Sequence, residues 1–275
     1  MPFPGEPVRT LNFSKKRKPS HASRTVEWIY GINPVLEALK ARRGIKTLYV
    51  SSGRHEKVLQ ITREAEIGGI PVEISEPAFF DNHFPKGHQG VAARVLQKAY
   101  ESLDALLTMP LQRKEVPLFV ALDGIEDPRN FGAILRSADA SGVHGVIIQT
   151  HRSAGFGPEV SKASAGAAEY VPVSVVPNIK YAVHRMKEEG ITVIGAETAT
   201  GAPLWEADLT VPLCLVIGSE GRGIRKILRE HCDVLVSIPM RGEIGSLNVS
   251  VAAGVTLFEI MRQRFTKKEN YQPIS

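Results

Sequence analysis

The stretch LCLVIGSEGRGI, Leu213–Ile224, decides how this chain folds. It opens with five apolar residues, turns through Gly218, Gly221 and Gly223, and runs on into a helical pattern. Strand, glycine loop, helix is the unit of a parallel α/β sheet. Such a loop invites a nucleotide-phosphate reading, but its spacing is GxxGxG and not the dinucleotide GxGxxG, and no Walker A sequence occurs. Glu220 sits in the middle of the loop, where it would repel a pyrophosphate. A cationic sulfonium or an arginine partner suits it better; the plainer alternative is a tight turn with Glu220 in solvent.

Working outward, the same alternation continues on both sides. PLFVALDG, HGVIIQT, EYVPVSV, ITVIGAE and DVLVSIP read as strands, with helical segments between them and a long closing helix from about Ser246. Near-continuous apolar strands alternating with helices predict a buried parallel sheet over residues 117–275. Its strand ends are where an α/β sheet binds ligands.

Three further clusters stand at such places. DGIEDPRNFGAILR, residues 123–136, follows a strand and opens a helix. Asn130 is placed to cap that helix, Gly132 allows close backbone approach, and Arg136 falls in the second turn; the alternative is a simple cap and a surface charge. IPMRGEIGSLNVS, residues 238–250, brings Ser246, Asn248 and Ser250 to the mouth of the closing helix. Ser246 is the expected cap. That helix is apolar nearly all round, through Val251, Val255, Leu257, Phe258, Ile260 and Met261, so it is buried or forms a subunit interface. GFGPEVSKASAGAAE, residues 155–169, reads as a small-residue loop and helix near Arg152 and Lys162, which could meet phosphate or simply lie on the surface.

The N-terminal part is different. Residues 1–25 carry six basic residues against Glu6 alone, which accounts for the whole formal net charge of +5. This arm reads as disordered, either solvated or a sequence-independent phosphate contact. Residues 26–97 read as a small α/β unit, with a helix started by Asn33-Pro34, strands at KTLYVS, PVEIS and GVAARV, and helices at HEKVLQITREAEI and PAFFDNHF. Residues 98–116 read as a helical linker. Two cysteines in 275 residues make no disulfide scaffold, no Cys/His spacing suggests a metal, and Cys214 belongs to a core strand. No apolar run approaches the ~18 residues of a membrane span. The expectation is a cytoplasmic protein. The prolines of the arm argue against an organellar transit peptide.

Together and in this order, NFGAILR, IGSEGRG and SLNVS resemble the three motifs of the SpoU (TrmH-type) branch of the SPOUT RNA methyltransferases. VSKASAGAAEYVPV and EHCDVLVSIPM are similar, within that branch, to bacterial enzymes that methylate a guanosine of 23S rRNA. IYGINPVLEAL is similar to their RNA-binding domain, whose fold is like that of ribosomal kink-turn binders. The resemblance implies S-adenosylmethionine as cofactor and a ribose 2′-hydroxyl of structured RNA as acceptor. It implies a trefoil knot and a homodimer. Cofactor binding falls to Gly218, Ile238 and Leu247. Catalysis falls to Arg136, oriented by Glu220, with Asn130, Ser246 and Asn248 completing the polar pocket. Arg136 is expected to stay charged and stabilise phosphate or alkoxide, since a guanidinium does not deprotonate below a pH of ~12. The competing expectations are a tRNA ribose methyltransferase and a non-catalytic RNA-binding factor of the same fold.

Overall fold

The computed structural model describes residues 25–52, 56–198 and 200–267. The expected basic arm therefore lies outside the described residues, apart from Thr25.

The N-terminal unit consists of β1 (Val26–Tyr30), α1 (Ile32–Lys40), β2 (Ile45–Ser51), α2 (Glu56–Ile67), β3 (Val72–Ser75), α3 (Pro77–His83) and β4 (Val91–Leu96). Its four-stranded sheet has the order β1-β4-β2-β3; β4 runs antiparallel to β1 and β2, and β2 runs parallel to β3. Ile32, Val35 and Ile61 pack on one face with Leu48 and Val95, while Phe80 and Phe84 cover Tyr30 and Ala92 on the other. Gly31, not Asn33, caps α1. Asn33 is already inside the first turn, and the free Ile32 N–H donates to Gln89 Oε1 at 3.2 Å.

The segment expected as a linker holds α4 (Leu103–Arg113), capped by Ser102 Oγ, which accepts from the Ala105 N–H at 3.1 Å. It is part of the second core rather than a spacer: Leu103 and Leu106 are buried with Phe119 and Ile147.

The C-terminal unit adds β5 (Leu118–Asp123), α5 (Pro128–Ala140), β6 (Gly145–Gln149), α6 (Pro158–Ala163), β7 (Val173–Val176), α7 (Ile179–Glu188), β8 (Thr192–Glu197), the two-residue β9 (Ala202–Pro203), β10 (Leu213–Gly218), α8 (Lys226–Arg229), β11 (Val234–Ser237) and α9 (Val249–Lys267). The sheet order is β7-β6-β5-β10-β8-β11-β9, and every pairing is parallel. Period-two alternation sends Leu118, Val120 and Leu122 to one face, against Phe131, Ile134, Leu257 and Ile260 of α5 and α9. Phe119 and Ala121 face the other way, against Ile179, Val183 and Leu228, and Cys214 lies in that core. Gly132 lets α5 approach α6: a Cβ there would lie 2.5 Å from Ala163 Cβ. The chain leaves β5 toward β6 and β7 but reaches β8 and β11 on the far side of β10. That reversal opens a crevice at the carboxyl ends of β5 and β10.

Charged contacts tie the two units together. Arg43 pairs with Glu27 and, at 2.6 Å, with Glu169. Tyr170 donates to Glu37 at 2.7 Å. Lys162, read above as a phosphate or surface cation, donates to the Gly87 carbonyl at 2.6 Å and so holds the N-terminal unit.

Candidate active site

Two cavities adjoin at the carboxyl ends of the strands. The first, about 380 Å³, is walled by the glycine loop, the end of β8 and the segment leading into α9. Gly218, Ile238, Leu247 and Ser246 all line it, together with Ile217, Val236, Val249 and Ala253. The three residues expected to hold a cofactor therefore share one chamber. Gly218 can be nothing larger, because a Cβ there would lie 2.0 Å from the Gly223 carbonyl carbon. The loop is folded back on its own strand by paired hydrogen bonds between Ser219 and Gly223, at 3.1 and 2.9 Å.

The second cavity, about 360 Å³, opens over β5 and β6 and is lined by Asp123, Asp127, Asn130, Gln149, Arg152, Glu220, Arg222 and Arg225. Ser219, Glu220, Arg222 and Val249 belong to both cavities. At their border three side chains from three distant segments meet. Asn248 Nδ2 donates to Asn130 Oδ1 at 3.0 Å and to Glu220 Oε1 at 3.4 Å. Asn130 Nδ2 donates to Glu220 Oε2 at 3.4 Å.

Helix capping frees these side chains for the cluster and departs from the sequence reading. Asp127, not Asn130, caps α5, accepting from the Arg129 N–H at 2.8 Å, with Pro128 in the first turn. Asn130 is thereby released toward Glu220. Asn248, not Ser246, caps α9: its Oδ1 accepts from the Ser250 N–H at 3.0 Å and the Ser250 hydroxyl at 2.6 Å. One amide thus starts the helix and joins the cluster.

Arg136 stands apart. It is exposed on α5 and is not among the residues lining either cavity. The expected Glu220–Arg136 pair is absent within this chain, since the Glu220 carboxylate takes the two asparagine amides instead. α9, which packs against α5, exposes Val251, Val255 and Phe258 at 50%, 40% and 45%. This stripe at helical spacing bears out the reading of a closing helix apolar on more than its core face.

Sequence reasoning missed the network that shapes the second cavity. Asp123 is 1% exposed, and its carboxylate accepts from the Arg225 backbone N–H at 2.9 Å and from Arg225 Nε at 2.7 Å. Arg225 Nη2 donates to Gln149 Oε1 at 2.8 Å. The available signal was a charge, Asp123, ending an otherwise apolar strand. Glu197 was missed too; it lines the first cavity, and its Oε1 is buried with no hydrogen-bond partner among the described residues.

These features fit an adenosyl cofactor. The first cavity lies within the ~300–1,000 Å³ of small-molecule sites, is mostly apolar, and has a backbone loop for polar contacts. Among the described residues no group of His, Cys, Asp and Glu is placed to hold a metal ion, and no helix is long and apolar enough to cross a membrane.

The profile of the SpoU rRNA Methylase family matches residues 117–258, and that of RNA 2′-O ribose methyltransferase substrate binding matches residues 28–101. The 23S rRNA (guanosine-2′-O-)-methyltransferase of Yersinia pestis is 41% identical over 246 residues, covering 88% of this chain and 99% of that protein. Among solved structures, the SpoU methyltransferase AviRb from Streptomyces viridochromogenes in complex with AdoMet aligns with a TM-score of 0.73 at 29% identity, over 88% of this chain and 91% of its own. The TrmH/SpoU tRNA modifying enzyme of Aquifex aeolicus aligns with a TM-score of 0.51 at 31% identity, over 60% of this chain and 83% of its own. With the order of its three motifs, their convergence and these likenesses together, the chain belongs to the SpoU methylase family.

Proposed function

We propose that this protein methylates a ribose 2′-hydroxyl in structured RNA, a guanosine of 23S rRNA, using S-adenosylmethionine. The observation that carries the reading is the meeting of Asn130, Glu220 and Asn248 at the border of two cavities. A transfer reaction needs two ligands held end to end, and the polar cluster stands where their reacting ends would face each other. The cofactor supplies an electrophilic methyl group on a sulfonium. The chain's own work is positioning, worth up to ~7–11 kcal/mol in favourable cases. Gly218, Ile238 and Leu247 hold the adenosyl group through backbone and apolar contact. Asn130, Ser246, Asn248 and Glu220 fix the ribose. Arg136 stays charged, binds the target phosphate and stabilises the developing alkoxide.

Arg136 lies outside its own chain's cavities, and this favours a site completed by a second copy. The exposed stripe of Val251, Val255 and Phe258 is the surface we assign to a homodimer. Arg136, on the neighbouring helix, then serves the partner's cavity. The reading includes a trefoil knot formed where residues 238–248 pass the glycine loop. The N-terminal unit grips folded RNA by shape and backbone. Its presence favours rRNA over tRNA, because the Aquifex tRNA enzyme aligns with only 60% of this chain.

Calorimetry with S-adenosylmethionine, followed by labelled-methyl incorporation into separate rRNA and tRNA pools, tests the reading. It expects one cofactor per protomer and label in rRNA. Label confined to tRNA would overturn the target, and absence of cofactor binding would overturn the activity.

A further inference from the structure

Glu197 presents a problem that the reaction as described does not solve. It ends β8, lines the first cavity, and lies directly under the glycine loop: a Cβ on Gly223 would be 3.0 Å from its Oε2. Its Oε1 is shielded from water and has no hydrogen-bond partner among the described residues. An ionised carboxylate accepts hydrogen bonds and donates none, so a buried, unpaired oxygen is a standing cost unless a donor arrives. Nothing in the transfer step asks for this charge, and Glu197 is separate from the Asn130–Glu220–Asn248 cluster.

Strand order says which part of a ligand would reach it. In the sheet β10 lies between β5 and β8, so Glu197 is across β10 from the second cavity and from Asp123. The reacting end of a bound cofactor must face the border cluster, toward β5. The remote end then lies over β8 and β11. A carboxylate there attracts hydrogen-bond donors, and the zwitterionic amino-acid end of the cofactor, whose own carboxylate stands beside its ammonium, offers it no net charge. The adenosyl half carries two kinds, the vicinal ribose hydroxyls and the adenine amine.

We propose that Glu197 is a cofactor-binding residue whose carboxylate accepts hydrogen bonds from the adenosyl half of the ligand. This rests on the reading of the first cavity as the cofactor site. Glu197 acts in affinity and selectivity, and takes no part in moving the methyl group. In the free protein its Oε1 lacks a donor among the described residues, and the adenosyl group would supply one.

The test uses full-length protein and calorimetry with S-adenosylhomocysteine and 5′-methylthioadenosine, neither of which reacts or carries a sulfonium. Glu197→Gln should weaken both by the same factor, on the order of ten- to a hundredfold, as expected for loss of a hydrogen bond to a charged acceptor. Removing either the 2′-hydroxyl or the 6-amino group from methylthioadenosine should weaken wild-type binding. Whichever group contacts Glu197 should lose that effect in the variant, and so be identified. The melting temperature of apo Glu197→Gln should equal or exceed that of wild type. Equal affinity of wild type and variant would overturn the proposal, as would a loss seen with S-adenosylhomocysteine but not methylthioadenosine. A loss restricted to S-adenosylmethionine would also overturn it, assigning Glu197 to the sulfonium charge. If wild type binds neither compound, the cofactor reading itself fails, and that outcome is distinct from a failure of Glu197 alone.

Discussion

The two adjoining cavities are built by opposite means. The first is walled mainly by glycines and apolar side chains, with Glu197 and Ser246 among them, around a loop that only glycine permits at Gly218. The second is made of charged and polar side chains locked to one another, with Asp123, Arg225 and Gln149 as its frame. Such a chamber recognises one small ligand largely by shape, and at Gly218 it tolerates no substitution. A charged chamber suits a polymer that brings phosphates, and its walls can be exchanged in pairs. Asn130, Glu220 and Asn248 belong to neither scheme alone; they join the two.

The harshest way to break the contrast is Gly218→Val. The branched side chain would meet the Gly223 backbone, where even a Cβ would sit 2.0 Å away. Cofactor binding should vanish, read as loss of the ligand-induced rise in melting temperature, with circular dichroism checking that the sheet persists. Arg136→Ala comes next. Turnover should fall on the order of 10²-fold or more, as when one charge-stabilising donor is removed, while cofactor affinity stays unchanged. Mixing this variant with Gly218→Val protein should recover activity if Arg136 serves the partner's cavity; no recovery would place it in its own chain's site.

The charged cavity breaks differently. Arg225→Met leaves the buried Asp123 with the backbone N–H of residue 225 but no counter-charge, and should cost about 2–3 kcal/mol of stability, less than for a fully buried pair because the Arg225 side chain is 43% exposed. Adding Asp123→Asn should return part of that loss. No such rescue exists for Gly218. At the border, Asn130→Ala and Asn248→Ala should reduce turnover alike. Only Asn248→Ala should also destabilise, by about 0.5–2 kcal/mol, because Asn248 caps α9.

A last effect lies away from both cavities and marks the domain junction. Lys98 donates to the Ala168 and Val171 carbonyls, and burial pulls its pKa from 10.5 down to about 8. Between those values the unfolded chain keeps a proton that the folded chain has lost, so this residue's share of stability rises with pH. The penalty is full below pH 8 and relieved toward pH 10.5. Comparing denaturant unfolding of wild type and Lys98→Met across that window should show the wild type gaining relative to the variant. A flat difference would mean the lysine is not desolvated.

Much of this was legible in the chain. All six strands of the parallel sheet named from alternation are present, and Gly218, Ile238 and Leu247 line one cavity. The errors share a cause. Asn33, Asn130 and Ser246 are good capping residues by type, but the backbone chose Gly31, Asp127 and Asn248. Residue type says which side chain can cap, not which N–H groups it will face. What Lys162 and α4 pack against was not legible, because the contacts that employ them, with Gly87 and with Phe119, join segments far apart in sequence. Glu197 left no sequence signal: one carboxylate at a strand end looks the same with or without a partner.

One measurement bears most directly on the claim that the two cavities together form a ribose methyltransferase. The protein is incubated with methyl-labelled S-adenosylmethionine and 23S rRNA, the RNA is digested to nucleosides, and the labelled product is identified by mass spectrometry. The account predicts a single labelled species, guanosine carrying the methyl group on its ribose oxygen, from a site resistant to alkaline cleavage. Label on a base, or spread over many nucleotides, would contradict it.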